Sequence, residues 1–289
     1  MTAQIIDGKA IAADLKSQIK QDVDALKSEG KEVGLAVIIV GDDPASHVYV
    51  ASKIKACEAA GILSFEQRVD ADATEKHIRH LIKNYNGNPL VHGILLQLPL
   101  PDHLSDVQES LVQEIAPHKD VDGLTTLNAG KLFLGHQDGH VPCTPQGSMR
   151  LIKSVEQNLS GKHAVVIGRS NLFGKPMAQL LLQENCTVTM AHSRTKDIES
   201  ICKQADILVA AVGRPEMVKA DWVKEGAVVI DVGINRQAPK VEGGKSKLLG
   251  DVDFDAVKDI ASAITPVPGG VGPMTIACLL ANTVKAAQG

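Results

Sequence analysis

Tyr49 and Lys53 stand four residues apart in YVASK, and Ser46 lies one turn earlier. Residues four apart share a face of a helix, so a hydroxyl, a phenol and an amine would point the same way. Ile54, Ala56 and Ala59–Ala60 follow the lysine. Surroundings that apolar would depress a lysine pKa if they enclosed the amine, and an amine titrating near neutrality can act as a general acid or base. A solvated helical lysine would show the same spacing.

Gln97 ends the apolar run of HGILLQLPLP (92–101). Open α/β sheets bind ligands beyond the carboxyl ends of their strands, so an amide there could bond Lys53 or a substrate; an ordinary strand-edge polar group is the plain alternative. KDVDG (119–123) sets Asp120 and Asp122 on alternate positions before a glycine. A metal site needs more oxygen or His ligands at defined spacing, and an Asp-Gly turn explains the pair as well. His136 and His140 bracket Asp138–Gly139, which breaks any helical zinc pair. No metal is expected.

KHAVVIGRSNLFGKPMAQLLL reads as strand, glycine turn and helix, with Gly168 at the strand end and Gly174 at the helix start. Backbone amides there could approach a pyrophosphate at a helix N-terminus. The spacing differs from G-x-G-x-x-G, so a tight turn made for packing is the competing reading. The next strand, TVTMAHSRT, ends without the acid that usually bonds the ribose of NAD. It offers Ser193 and Arg194, and Arg169 lies in the glycine turn. Cations and a hydroxyl would hold a 2′-phosphate that an acid would repel. The expected cofactor is NADP.

TPVPGGVGPMT (265–275) holds three prolines and three glycines in eleven positions. Proline stiffens and glycine admits close approach, so this loop is expected to lie against something flat and to hold still.

The elements that would position these groups alternate. Helical spacing of Ile11, Leu15, Ile19, Val23 and Leu26 stops near Gly30; strands are expected at 34–40, about 65–69 and from 92 to Gln97–Leu98, with helices over 42–61 and about 74–84. A second series has strands at 162–168, 187–193, 206–213 and 226–233, and a helix over 175–185. Such alternation implies right-handed βαβ units and parallel sheets. The Gly/Pro-punctuated stretch 119–147 reads as a link between domains, and the last helix, about 274–287, as returning to the first domain. The expected fold is α/β, with two three-layer αβα domains and an active-site cleft between them. The second domain would be a Rossmann-like doubly wound parallel sheet. Residues 1–140 with 270–289 would form the first domain, and residues 141–269 the second.

Bulk composition fits. Of the 289 residues 44% are hydrophobic but only 2% aromatic, so the core must be aliphatic, as in buried parallel sheets. A net charge of −4 without a basic run argues against nucleic acid and against a polybasic membrane patch. Five scattered cysteines, none in a C-x-x-C pair, suit a reduced, cytoplasmic chain.

Five segments together carry a resemblance: YVASK, HGILLQLPLP, KDVDG with PCTPQG, VVIGRSNLFGKP and TPVPGGVGPMT. In this order they resemble the bifunctional methylenetetrahydrofolate dehydrogenase/methenyltetrahydrofolate cyclohydrolase family, over essentially the whole chain. A glycine turn preceding the tyrosine, as in short-chain dehydrogenases, is not the order here. The resemblance implies NADP-dependent oxidation of methylenetetrahydrofolate, then hydrolysis of the methenyl product to formyltetrahydrofolate. It implies Lys53 as the acid/base of hydrolysis, Gln97 tuning it, and Tyr49 stacking on the aminobenzoyl ring. Asp122 would bond the pterin edge, with Asp120 assisting. Ser46, Leu98, Pro99 and the loop Pro268, Gly269, Gly270, Val271 and Gly272 would line the folate. Gly168, Arg169, Ser170, Ser193, Arg194 and Ile234 would line the cofactor. A homodimer paired through the nucleotide domain is also implied. The alternative is an NADP-dependent dehydrogenase of another small substrate on a similar fold.

Overall fold

The β-branched runs become strands and the stretches between them helices. The computed structural model describes residues 2–42, 44–237 and 246–289, with side chains at all of these but 44–49. In chain order the elements begin β1 (Gln4–Ile5), α1 (Gly8–Ser28), β2 (Gly34–Val40), α2 (Pro44–Ala60), β3 (Leu63–Val69) and α3 (Glu75–Gly87). Next come β4 (Gly93–Leu96), α4 (Gln108–Gln113), α5 (Thr126–Leu134), α6 (Cys143–Val155), β5 (His163–Ile167) and α7 (Gly174–Gln183). The rest are β6 (Thr187–Ala191), α8 (Ile198–Cys202), β7 (Ile207–Ala210), β8 (Val228–Asp231), β9 (Asn235–Gln237), β10 (Lys247–Leu249), α9 (Phe254–Val257), β11 (Ala263–Ile264) and α10 (Val271–Gln288). Two compact units divide the chain: Met1–Ala12 with Thr144–Thr275, and Ala13–Cys143 with Ile276–Gly289.

The first unit is built on a six-stranded sheet ordered β1-β11-β8-β7-β5-β6, parallel throughout. β7 and β8 are buried at every position and β5 at all but its first. Successive strand side chains face opposite ways, so both faces of this sheet are covered, which makes three layers. The core joins Val165, Ile167, Leu208, Val229 and Ile264 with Trp222. From β5 the chain passes through α7 to β6 on one side, then returns to place β7 on the other. The ends of β5 and β7 therefore form a topological switch point, where doubly wound sheets bind ligands. The N-terminal residues join this sheet because β1 pairs with β11, Gln4 opposite Ala263. The antiparallel pair β9–β10 stands apart from it.

The second unit carries a parallel sheet ordered β3-β2-β4. β2 and β4 are buried at every position. α3 starts at its cap Thr74, whose side chain accepts from the His77 amide. Its Ile78 and Ile82, one turn apart, are fully buried and join Ile38, Val40, Ile94 and Leu111 in the core. Each such burial stabilises by roughly 2 kcal/mol. β4 stops at Leu96, but the Gln97 amide still donates to the Ile38 carbonyl at 2.9 Å, so pairing reaches the expected end. Asp120 adds one bridge, to Ile94.

Two expectations shift. α10 opens at Val271, inside the proline–glycine loop rather than after it. The stretch 119–147 holds the whole of α5 and the start of α6, where only a link was expected. Thr125 caps α5 at its start, and Gly135 ends it at φ 79°.

Candidate active site

The middle of α2 carries Lys53 inward, leaving it 8% exposed. Its Nζ donates to Gln97 Oε1 at 2.9 Å. Gln97 is fixed in turn, because its Nε2 donates to the Leu98 carbonyl at 2.7 Å. Burial depresses the Lys53 pKa, against the opposing pull of the Asp122 charge and of Cys143 and Cys57. Burial likewise raises the Asp122 pKa, against the nearby Lys53 charge. The structure thus brings Lys53, Gln97 and Asp122 together. An amine and a carboxyl each pushed away from its charged form can exchange protons at moderate pH.

Two neighbours of this group gave no signal of their own in the sequence. Cys143, at the start of α6, lies near the Asp122 carboxyl and donates to the Val121 carbonyl at 3.3 Å. Asn282, buried on α10, donates to the Val121 and Val141 carbonyls at 2.8 and 3.0 Å. Both hold the loop that carries Asp122. Asp120 plays a different part. It is 1% exposed, and its oxygens accept from the amides of Leu124 and Thr125 and from Asn128 Nδ2. Those three donors tie Asp120 to the entrance of α5. Ser46 and Tyr49 lie on α2, and their side chains fall outside the described residues. Leu98 is half-buried and Pro99 exposed.

At the switch point a cavity of about 300 Å³ opens, lined by Gly168, Arg169, Ser170 and Ser193 among others. Ala211, Val212, Arg214 and Met217, just beyond β7, complete its wall; the sequence had not marked them. Arg194 is not among its lining residues; its amide donates to His192 Nδ1 at 3.2 Å. Gly168 sits at φ 131°, and a Cβ on it would meet the Ala211 carbonyl at 2.5 Å. A Cβ on Gly174 would fall 2.3 Å from the Gly168 carbonyl. Only glycines let this turn close while leaving the mouth open. Ser170 Oγ accepts from the amides of Phe173 and Gly174, which ties the turn to the start of α7. A bare turn at a helix N-terminus with cations at its rim fits a phosphate-bearing dinucleotide. Ile234 is half exposed in the loop between β8 and β9.

In the proline–glycine loop Gly269 adopts φ 109°. A Cβ on Gly270 would stand 2.7 Å from the Pro266 carbonyl, and one on Gly8 would strike the Gly270 carbonyl at 1.9 Å. The chain's own packing thus accounts for part of the glycine density. Pro268 is exposed, Gly269, Gly270 and Val271 are buried, and Gly272 is half-buried.

Residues 6–122 match the model of the tetrahydrofolate dehydrogenase/cyclohydrolase catalytic domain. Residues 142–289 match that of the tetrahydrofolate dehydrogenase/cyclohydrolase NAD(P)-binding domain. The chain belongs to the tetrahydrofolate dehydrogenase/cyclohydrolase family. The family's bifunctional protein FolD of Jannaschia sp. (strain CCS1) is 59% identical, over 98% of this chain and 92% of that protein. The crystal structure of the bifunctional FolD enzyme from Campylobacter jejuni superposes with a TM-score of 0.94 at 49% identity, covering 99% of each chain. The Trypanosoma brucei dehydrogenase-cyclohydrolase, solved with NADP cofactor and an inhibitor, gives 0.94 at 38% identity, covering 100% of this chain and 98% of that one. Membership makes the chain an enzyme of two activities, a tetrahydrofolate dehydrogenase and cyclohydrolase, and disfavours a dehydrogenase of some other small substrate.

Proposed function

We propose that Lys53 is the acid/base of the hydrolytic activity and that Gln97 and Asp122 set its protonation. The overall conversion is oxidation of 5,10-methylenetetrahydrofolate to the 5,10-methenyl form, then hydrolysis to 10-formyltetrahydrofolate. The observation that carries the assignment is the buried Lys53 amine bonded to Gln97 at 2.9 Å. Hydrolysis adds water to the methenyl carbon and breaks its bond to one nitrogen. The amine would take a proton from the water and return one to the departing nitrogen. Oxidation needs no acid, because the methenyl product is a cation delocalised over two nitrogens.

When bound, NADP accepts hydride from the methylene carbon; the chain's part is to hold and orient. Gly168, Arg169, Ser170, Ser193, Arg194 and Ile234 would hold the dinucleotide, with Arg169 and Ser193 on the 2′-phosphate. The same ligand in the Trypanosoma brucei relative supports that reading. Tyr49 would stack on the aminobenzoyl ring and Asp122 bond the pterin edge. Asp120 would shape the loop that presents Asp122. Ser46, Leu98, Pro99 and residues 268–272 would line the folate. The folate work would fall to residues 1–140 with 270–289, and the cofactor work to residues 141–269.

Homodimerisation through the cofactor domain is part of this reading. It is supported by β6 as the sheet's end strand and by Leu172, Leu182 and Met190 left exposed on the same unit. A cytoplasmic site is supported by five free, buried cysteines. Among the described residues no helix is long and apolar enough to cross a membrane. Methenyl absorbance that rises when NADP and methylenetetrahydrofolate are supplied, then decays as the ring opens, tests the whole sequence. Absence of either phase would refute it.

A further inference from the structure

Asp251 is fully buried two residues past the end of β10. Its Oδ2 accepts from the amides of Val212 at 2.6 Å and Gly213 at 3.0 Å. Its Oδ1 accepts from the Arg214 amide and from Asn235 Nδ2, both at 2.9 Å. Three consecutive amides converging on one anion form a nest, and Gly213 at φ 66° supplies the left-handed residue that such a curl needs. The nest is filled from inside the protein. Val212 and Arg214, whose amides it consumes, line the cavity at the switch point.

The carboxylate is itself held. The Asp251 amide donates to Asp231 Oδ1 at 2.8 Å, as does the Gly233 amide at 3.0 Å. The Asp231 amide donates to Thr265 Oγ1, the first residue of the proline–glycine loop. A Cβ on Gly233 would fall 2.3 Å from Asp251 Oδ1, and one on Gly250 would fall 1.7 Å from Asp231 Oδ2. Bare backbone therefore surrounds both carboxylates. One chain of hydrogen bonds runs from Thr265 through Asp231 and Asp251 to the wall formed by residues 212–214.

We propose that Asp251 is a positioning residue for the dehydrogenase activity: it fixes the backbone of Val212–Arg214 and thereby the wall against which the dinucleotide lies. The inference rests on the reading of that cavity as the NADP site. An amide cannot substitute for the carboxylate, because its NH2 end would face backbone N–H donors and leave them unpaired. Hydrolysis needs no hydride acceptor, and Lys53 belongs to the other compact unit. The two activities should therefore separate.

The test compares full-length wild type with Asp251→Asn. NADP affinity is read by calorimetric titration, and hydrolysis of supplied methenyltetrahydrofolate is read without NADP. The expected result is an NADP dissociation constant raised at least ~10-fold, in line with one charge-assisted hydrogen bond lost, with hydrolysis within about twofold. In the dehydrogenase assay the KM for NADP rises more than kcat falls. An unchanged dissociation constant, or parallel loss of both activities, overturns the proposal. If Asp251→Asn does not fold, Asn235→Ala decides: weaker NADP binding at unimpaired hydrolysis sustains the proposal, and unaltered binding refutes it. Wild type that fails to bind NADP would overturn the cavity assignment instead, a result the wild-type titration gives separately.

Discussion

At the scale of single residues the decisive contact is Lys53 Nζ to Gln97 Oε1. Replacing Lys53 by Met keeps the aliphatic stem in its buried place and removes the amine. Hydrolysis of methenyltetrahydrofolate should then fall ~10²–10⁴-fold, the usual worth of a positioned acid/base, while NADP binding persists. Retained hydrolysis in that variant would exclude the role. The proposed acid/base role also has a pH signature. Burial holds the lysine below its ordinary 10.5, so the neutral amine, the form able to accept a proton, accumulates at lower pH than for a solvated lysine. Hydrolysis should rise to a plateau whose midpoint lies below 10.5. The Gln97 oxygen favours the ammonium form, so Gln97→Ala should move that midpoint lower still; a midpoint unmoved by the change would dissociate Gln97 from the titration. In the cavity proposed for the cofactor, Arg169→Ala with Ser193→Ala should raise the KM for NADP ~10-fold or more and leave that for NAD nearly unaltered. Equal losses would contradict a 2′-phosphate contact. In the sequence, helical spacing and a strand end drew notice to Lys53 and Gln97, while the role proposed for Asp122 came only from the family resemblance. Asp120 and Asp122 look alike there. Only the fold shows one carboxylate consumed by Leu124, Thr125 and Asn128, and the other left beside the amine.

At the scale of elements, β2, β4, β5, β7 and β8 were readable because burial on both faces demands unbroken apolar runs, as in GLAVIIV, whereas β1, β9, β10 and β11, two or three residues long, carry no such run and were not expected. α5 was not readable, and the reason is physical. It buries Asn128 and Leu132 while Leu127, Phe133 and Leu134 stay exposed, so its polarity runs against the amphipathic pattern. Asn128 earns burial through Asp120 and the Pro117 carbonyl, partners that no periodicity announces. Asp231 and Asp251 were hidden likewise: one falls near the end of the expected strand 226–233 and the other in the polar stretch GDVDF (250–254), yet both carboxylates lie inside. Their proximity has a measurable consequence. Burial, with the Asp251 charge adding to it, pushes the Asp231 pKa up to about 7, against three backbone amides that lower it. An acid whose folded pKa exceeds its unfolded value stabilises the fold fully below about 3.8 and loses that contribution as pH rises to about 7. Thermal unfolding of wild type and Asp231→Asn should therefore diverge across that window, with wild type losing relative stability as pH increases. The linkage is on the order of 4 kcal/mol. Parallel melting curves from pH 4 to 8 would mean that Asp231 is ionised throughout.

At the scale of the whole molecule, the proposed dimer would place the exposed apolar groups of the cofactor unit in its interface. β6 ends the sheet, and among the described residues its strand neighbour is β5 alone, so one edge of its backbone hydrogen-bonding groups faces outward. An open edge of this kind is normally blunted or covered, yet Met190 stands on it exposed. α7 packs beside β6 and presents Leu182 at 55% exposure, and Leu172 in the preceding turn is also uncovered. A second copy of the same surface would cover all three and pair its own, as two-fold symmetry requires of an isologous interface. Sedimentation equilibrium should then give about twice the 30.6 kDa of the chain. Leu182→Glu should shift the protein to the monomer, since two copies of the new charge would be driven together without partners. Hydrolysis should persist in that monomer, because Lys53, Gln97 and Asp122 all belong to the other unit. A wild-type mass of one chain would discard the dimer, and an undiminished dimer in Leu182→Glu would move the interface away from α7 and β6.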